Sequence, residues 1–393
     1  MAVPKLRFKE FKNEWKTINL KQILSFKNGI NANKDSYGRG IKYISVGDIL
    51  NNTFITYDKI KGLVDINEKV LKENSVEYGD IIFQRSSETF NDIGQSNVYL
   101  DKEKVATFGG FVIRGKKIGN YNPLFLNSLL KSPYNRRKII IKGAGAQHYN
   151  ISQEELEKIN INFTNENEQK KIADLFSLLD KKIELQKQKI EALKIYKKGL
   201  IQKLINQKNC PERSVSEFGT VITGTTPSKL NSTYWNNGNI VWVTPSDITE
   251  SKDIYTSYNM LTVDGVKAGR FIPAGSILVT CIASIGKNAI LKVNGSCNQQ
   301  INAIIPNKNF NTDYLYYLFE MNKYYLQSIA GTSATSIINK SSFENLVFRV
   351  PNIEQQNIVS KILNCLEHKI ENEKFKSKNL NLFKKSLLQQ MFI

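Results

Sequence analysis

The chain has 393 residues, 41% of them hydrophobic and 23% charged. That composition is globular, and the length calls for two domains or more, because single cores stop growing near ~250–300 residues. Lys and Arg total 55 against 36 Asp and Glu, a net charge of +19, which points to a polyanion: nucleic acid or an acidic membrane surface. No apolar run approaches the ~18 residues of a membrane span, and the start MAVPKLRFKEFKNEWK has no apolar core of a secretory signal. The four cysteines are scattered without a C-x-x-C pair and only His148 and His368 are histidines. Zinc, disulfides and His-based catalysis therefore have little to work with, and a reducing cytoplasm is expected.

In chain order, residues 1–165 read as a first globular part. Strand-like runs IKYISV, GDIIFQ and VATFGGFVI are separated by turn signals such as Asn28-Gly29 and Gly79-Asp80, with a helical stretch around 122–140. Residues 166–208 contain no proline and a single glycine, Gly199. Phe176, Leu179, Ile183, Gln186, Ile190, Leu193, Lys197, Leu200 and Leu204 alternate three and four apart, the a/d spacing of a coiled coil. Residues 209–352 return to strand-like runs, NIVWV, GSILVTCIA and INAIIP, with a helical stretch around 312–329. Residues 353–393 form a second long helix, with Leu363, Leu366, Ile370, Glu373, Ser377, Leu380, Lys384, Leu387 and Met391 at the same spacing.

These two helices coincide at a constant offset of 187, polar interruptions included: Gln186 falls on Glu373 and Lys197 on Lys384. The globular parts repeat in the same order. Asp48-Ile49 matches Asp247-Ile248, GDIIF from Gly79 matches GSILV from Gly275, and Ile93-Gly94 matches Ile285-Gly286. Ala144-Gly145 matches Ala330-Gly331, and EQKKI from Glu168 matches EQQNI from Glu354. One large unit has been duplicated. The reading is α+β: two tandem globular parts, each followed by a long helix. About forty residues rise ~60 Å, more than one small domain covers, so the two seams are expected to bury each other. Leu179, Ile183, Ile190, Leu193, Leu200 and Leu204 would pair with Leu366, Ile370, Leu380 and Leu387. Heptads alone leave the helix direction open.

Charge gathers at the front: basic residues outnumber acidic ones 26 to 17 in residues 1–165. Arg39, Lys42, Arg85, Arg114, Lys116, Lys117, Arg136, Arg137, Lys138 and Lys142 lie near turns there. Phosphate contact suits some of them and solubility the rest. Lys187, Lys189 and Lys194 read as the solvated face of a helix. Arg matches guanine edges and Gln or Asn adenine edges, so polar loops are the candidate readers. In the first part these are Lys34, Tyr37 and Arg39 in NGINANKDSYGRG, then Arg85-Ser86-Ser87, then Gln147-His148. In the second part they are Thr225, Thr226, Ser228 and Lys229, then Ser284 with Lys287, Gln299-Gln300, and Thr335. For any one of them ordinary turn chemistry is the blander account, and His148 suits a surface or capping role. Their recurrence at equivalent places favours the set.

Catalytic signatures are missing. Ile285-Gly286-Lys287-Asn288 lacks the leading glycine and the Ser or Thr of a P-loop, and Gly143-Ala144-Gly145 stops short of a dinucleotide loop. Three classes compete: a DNA-reading scaffold, a self-contained DNA-modifying or cleaving enzyme, and a coiled-coil adaptor without a DNA role. Strand-rich repeats with polar loops favour the first.

The residues also carry a resemblance. PKLRFKEFKNEWK, EQKKIADLFSLLDKKIELQKQKIEALKIYKKGLIQKLI, GTTPSKLNSTYWNNGNIVWVTPSDI and PAGSILVTCIASIGKNAI are similar to patterns of the specificity (S) subunit of Type I restriction–modification enzymes. The resemblance runs along the full chain. Thr225 stands where that family usually has a second glycine before Thr-Pro-Ser, and the first part lacks Thr-Pro-Ser. The resemblance implies target-recognition domains at 1–165 and 209–352, with spacer helices at 166–208 and 353–393 packed as an antiparallel coiled coil. It implies a non-catalytic subunit that reads one half of a split double-stranded DNA site with each domain. A helical ruler of ~60 Å, or ~17 base pairs, bounds the separation. Two methyltransferase (M) subunits would dock and supply S-adenosylmethionine and adenine N6-methylation, with the base flipped out of the stack. Up to two restriction (R) subunits would bring ATP and magnesium. No cofactor or metal is expected in this chain itself.

Overall fold

Short runs of β-branched and aromatic residues between glycine turns become sheets whose inner faces are fully buried. The computed structural model describes residues 3–145, 147–206, 209–330 and 337–393. They divide into two compact units: one holds the described residues through Lys187 together with Phe375–Ile393, the other those of Gln188–Lys374.

In the first unit, strands β1 (Leu24–Asn28), β2 (Ile81–Gln84), β3 (Ser96–Val98) and β4 (Val112–Lys117) form an antiparallel sheet in the order β1-β4-β2-β3. A smaller sheet pairs Tyr37–Ile44 with Gly62–Val64 and, in parallel, with Thr107–Phe108. The second unit repeats this plan. Strands β5 (Gly219–Thr223), β6 (Ile277–Thr280), β7 (Asn288–Leu291) and β8 (Ile301–Pro306) run in the order β5-β8-β6-β7, with Asp253–Ile254 added in parallel. Its smaller sheet is Asn259–Leu261, Ile240–Val243 and Gly295–Cys297.

The duplication extends to single hydrogen bonds. Ser45 N–H donates to Asp48 Oδ2 at 2.9 Å, and Thr244 N–H donates to Asp247 Oδ2 at 2.8 Å. Asn122 N–H reaches Gln169 Oε1 at 2.9 Å, and Asn311 N–H reaches Gln356 Oε1 at 2.8 Å. Gly79 and Gly275, at φ +93° and +86°, make the same left-handed turn into β2 and β6.

Several expected elements are divided. VATFGGFVI, read as one strand, breaks at Gly109-Gly110 into Thr107–Phe108 and β4. The break has a packing reason: a Cβ on Gly29 would stand 2.1 Å from the Gly109 carbonyl oxygen, so the two backbones touch. The stretch 122–140 is two helices, Pro123–Lys131 and Pro133–Ile140, because Pro133 cannot continue the first and starts the second.

The long helices are α1 (Glu166–Ile205) and α2 (Ile353–Met391), each running from one unit into the other. Within the first unit, Phe176 stacks on Phe392 with centroids 5.7 Å apart, and Asp180 pairs with Lys384. Within the second, Lys189 pairs with Glu373 at 3.1 Å and Lys197 with Glu367 at 2.5 Å. Partner numbers fall as α1 numbers rise, so the segments pack antiparallel in both units. Leu179, Ile183, Ile190, Leu366, Ile370 and Leu387 are buried. Leu193, Leu200, Leu204 and Leu380 are half-buried. Lys197 and Lys384, the matched polar interruptions, each face an acid across the seam, and these are one ion pair repeated at offset 187. Lys189, read as solvated, is exposed and also pairs with the buried Glu373.

Each sheet packs on the helix ends of its own unit. Trp15, Phe83, Phe125, Phe176, Leu179, Leu387, Met391 and Phe392 share one core. Phe218, Val279, Tyr314, Phe343, Ile201, Ile205 and Leu363 share the equivalent one.

Candidate nucleic-acid interface

Three loops meet at one end of the larger sheet in each unit. In the first, the loop after β1 hydrogen-bonds the segment before β4: Gly29 N–H to Val112 O at 3.0 Å and Ile30 N–H to Phe108 O at 3.0 Å. The end of β2 closes against the same segment, with Arg85 N–H on Phe111 O at 2.9 Å and Arg85 Nη1 on Gly110 O at 3.2 Å. Ser86–Ser87 then pairs with Tyr149–Asn150, which sets the exposed Gln147 and His148 beside it. Arg85 borders a cleft of about 340 Å³ with Asn28, Lys142, Asn150 and Gln153.

The second unit uses the same bonds with other side chains. Gly224 N–H donates to Ile301 O at 2.9 Å, Thr225 N–H to Cys297 O at 2.8 Å, and Cys281 N–H to Gln300 O at 2.8 Å. The loop is held from behind: Trp242 Nε1 donates to Thr225 O and Trp235 Nε1 to Ser228 O, both at 3.0 Å, and the two indoles meet edge-to-face at 5.0 Å. Thr226 donates to Gln299, joining the two loops. Gln300 accepts at Oε1 from Asn298 Nδ2 at 2.8 Å, which links the two side chains of this loop. The Ser284–Lys287 turn is pinned by Thr280, whose hydroxyl donates to Ser284 O and accepts from Lys287 N–H at 3.0 Å.

The expected residues therefore separate. Arg85, Ser86, Ser87, Gln147 and His148 come together, as do Thr225, Thr226, Gln299 and Gln300. Ser228 and Lys229 are exposed on the tryptophan-backed loop. Tyr37 braces the loop after β1, its hydroxyl accepting from Ala32 N–H at 3.2 Å. Lys34 stands exposed on its own turn, and Arg39 pairs with Asp65 at 3.2 Å on the surface. Thr335 lies outside the described residues.

Two arginines of the basic set read for phosphate contact or solubility are inside the protein. Arg136 is 9% exposed and ties down the turn before β3, donating to Gly94 O and Ile93 O, both at 2.7 Å. Burial pushes its guanidinium down to about 10, with Asp92 opposing. Arg114, 6% exposed, donates to Ser75 O and is likewise lowered by burial, with Asp80 and Glu77 opposing. Both cap carbonyls of loops distant in sequence, which no local pattern announces.

Other residues were missed. Arg270 is exposed at the base of the Thr225 loop, its Nη1 on Thr223 O at 2.7 Å. Phe111, 68% exposed, stands beside Arg85. A lone arginine or aromatic near a turn carries no sequence signal of its own.

The family model for the Type I restriction modification DNA specificity domain matches twice, over residues 12–194 and 207–382. The chain belongs to this family. Among curated relatives, the MjaIX Type I restriction enzyme specificity subunit of Methanocaldococcus jannaschii is 32% identical over 192 residues, 47% of this chain. That match spans 44% of the relative's own length. Among solved structures, the S subunit of a Type I restriction-modification system from M. genitalium covers 100% of this chain and 99% of its own. It superposes with a TM-score of 0.59 at 15% identity. A chain from work on complex assembly and conformational transition of the type I R-M system covers 95% of this chain and 96% of its own. Its TM-score is 0.65 at 12% identity. The fold is thus that of Type I specificity subunits, duplicated recognition domains included. Among the described residues no helix is long and apolar enough to cross a membrane.

Proposed function

We propose that the chain reads a bipartite double-stranded DNA target, one half-site per unit, and brings adenine-N6 methyltransferase and restriction subunits to it. The observation that carries the reading is one loop scaffold built twice with different side chains at equivalent places. Arg85 in the first unit corresponds to Cys281 in the second, Phe111 to Gln300, and Ile30 to Thr225, matched by the hydrogen bonds they share. Matching backbone frames with unlike side chains suit two unlike half-sites: Cys281 is buried where Arg85 borders a cleft, so the frame positions while the accessible side chains that differ discriminate.

Recruitment finds support on the helices. Ile195 and Tyr196 are 73% and 61% exposed, and their counterparts at offset 187, Leu382 and Phe383, are 56% and 53% exposed. Soluble chains seldom leave such pairs uncovered, and a patch made twice suits two copies of one partner, the two methyltransferase subunits. In this reading the chain performs no chemistry. S-adenosylmethionine belongs to the methyltransferase partner, and ATP with magnesium to the restriction partner.

The test is a genome-wide map of adenine methylation with and without this gene. Loss of one bipartite, asymmetric motif is expected. A methylome that keeps every motif in a strain expressing the whole system refutes the proposal, and S-adenosylmethionine binding by the isolated chain would favour a self-contained enzyme.

A further inference from the structure

The DNA-reading assignment accounts for the loops at the sheet ends but leaves a basic cleft behind the Ser284–Lys287 turn. In the second unit a space of about 550 Å³ opens between this turn, the Lys323–Ile329 helix and that unit's segments of α1 and α2. Its wall holds Lys194, Lys197, Lys198, Lys287, Lys323 and Lys374 against Glu250, Glu320 and Glu367. The acids are already engaged. Glu367 and Glu320 lie 2.5 and 3.8 Å from Lys197, and Glu250 lies 4.0 Å from Lys194 and 3.5 Å from Lys374. Lys198, Lys287 and Lys323 line the same space with no acidic partner among the described residues.

The fold holds this excess in place. Gly286, at φ +81°, lies so close to Lys323 that an added Cβ would stand 3.0 Å from its carbonyl oxygen. Gly286 N–H and Lys287 N–H are both tied to Thr280, at 2.9 and 3.0 Å. Lys287 thus belongs at once to the reading turn and to the cleft. Like charges gathered without counter-charge disfavour the free protein, and an anion relieves that cost.

We propose that this cleft seats the DNA backbone, with Lys198, Lys287 and Lys323 contacting phosphates next to the half-site read by the second unit. The proposal rests on the DNA-reading assignment. Lysines spread along an open wall suit a run of phosphates, each met as a point charge; a single bound phosphate would call for converging bidentate donors. The first unit differs at the turn residue. The residue equivalent to Lys287, by its shared hydrogen bond to the strand end, is the uncharged Gln95.

The experiment uses the chain assembled with its co-expressed methyltransferase. Two duplexes of about 40 base pairs serve as probes: one carries the motif found by methylation mapping, the other has both half-sites scrambled. Affinity is measured against salt for wild type, K198Q/K287Q/K323Q, the single variant K198Q, and the control K308Q/K361Q/K369Q at three exposed lysines. Each lost phosphate contact flattens the log–log salt slope by ~0.9, so the triple variant is expected to lose ~2–3 and K198Q ~0.9. Both duplexes should weaken by one common factor, and the control should match wild type. An unchanged slope in a normally assembled complex overturns the proposal. Failure of K198Q and the triple variant to assemble with the methyltransferase also overturns it, marking the cleft as a protein-docking groove. If wild type fails to distinguish the two duplexes, the DNA-reading assignment falls, while the slope comparison still decides the role of the cleft.

Discussion

Replacing Phe392 by alanine should destabilise the first unit selectively. The side chain is 2% exposed and lies among three aromatic neighbours: Phe176 at 5.7 Å, Phe125 at 5.8 Å and Trp15 at 6.2 Å. The chain end is held nearby, with Leu6 N–H on Gln390 O and Asn162 Nδ2 on Ile393 O, both at 3.0 Å. The last turn of α2 and the residues after it therefore complete a core made mostly of residues from the other end of the sequence. A buried Phe→Ala change costs about 3–5 kcal/mol in lost transfer and cavity terms, and the aromatic pairs place this site toward the upper end. For a unit of this size each kcal/mol moves Tm by ~2–4 °C, so a drop of about 10 °C is expected. Calorimetry of the whole chain should show it in one of two transitions. Ile205, at offset 187 and 1% exposed, is the internal control: Ile205→Ala should lower the other transition. A shift below about 2 °C for F392A, or the same transition falling in both variants, would refute the reasoning.

Other expectations follow from the same geometry. Arg85→Ala should relax one half-site by about 1–3 kcal/mol of discrimination, and Gln300→Ala the other, as read from the methylation motifs each variant writes. Equal loss of assembly in either would count against a reading role. Ile370→Asp puts an unpaired charge at a position 2% exposed, beside the acids Glu367 and Glu373, and should abolish co-purification with the methyltransferase; a normal complex on size exclusion contradicts it. Leu193→Asp should do less, since Leu193 is half-buried. Lys131 is pushed down to about 8, first by burial and then by Lys384, with Asp180 opposing. Its charged form is disfavoured in the folded state, so the unfolded chain binds more protons between about pH 8 and its ordinary lysine value. Stability should therefore rise with pH across that window. Lys131→Met should flatten the rise in urea midpoints, and an unaltered pH profile would refute the assignment.

The doubled plan was legible because it lives in local pattern. The seam residues of α1 and α2 keep one offset, and turn glycines such as Gly79 and Gly275 mark the same corner twice. A helix periodicity or a forced left-handed turn is written in a few adjacent residues. The candidate loops were legible as a set but not one by one. Arg85 and Arg114 look alike in sequence, yet one borders an open cleft and the other caps a buried carbonyl. Which of them faces outward depends on the side of the pleat and on what strand pairing brings opposite.

The amino-acid sequence by itself determined the duplication, the two long helices with matched polar interruptions, and the basic charge. Each is a property of spacing or composition. Only the tertiary structure decided that the segments of α1 and α2 pack antiparallel within each unit. Only it decided that Lys197 and Lys384 answer Glu367 and Asp180 across the seam, that Phe392 closes the first unit's core, and that Lys198, Lys287 and Lys323 share one cleft with no acidic partner among the described residues. Those facts depend on contacts between residues far apart in the chain, where burial and electrostatics act on neighbours that no local pattern names.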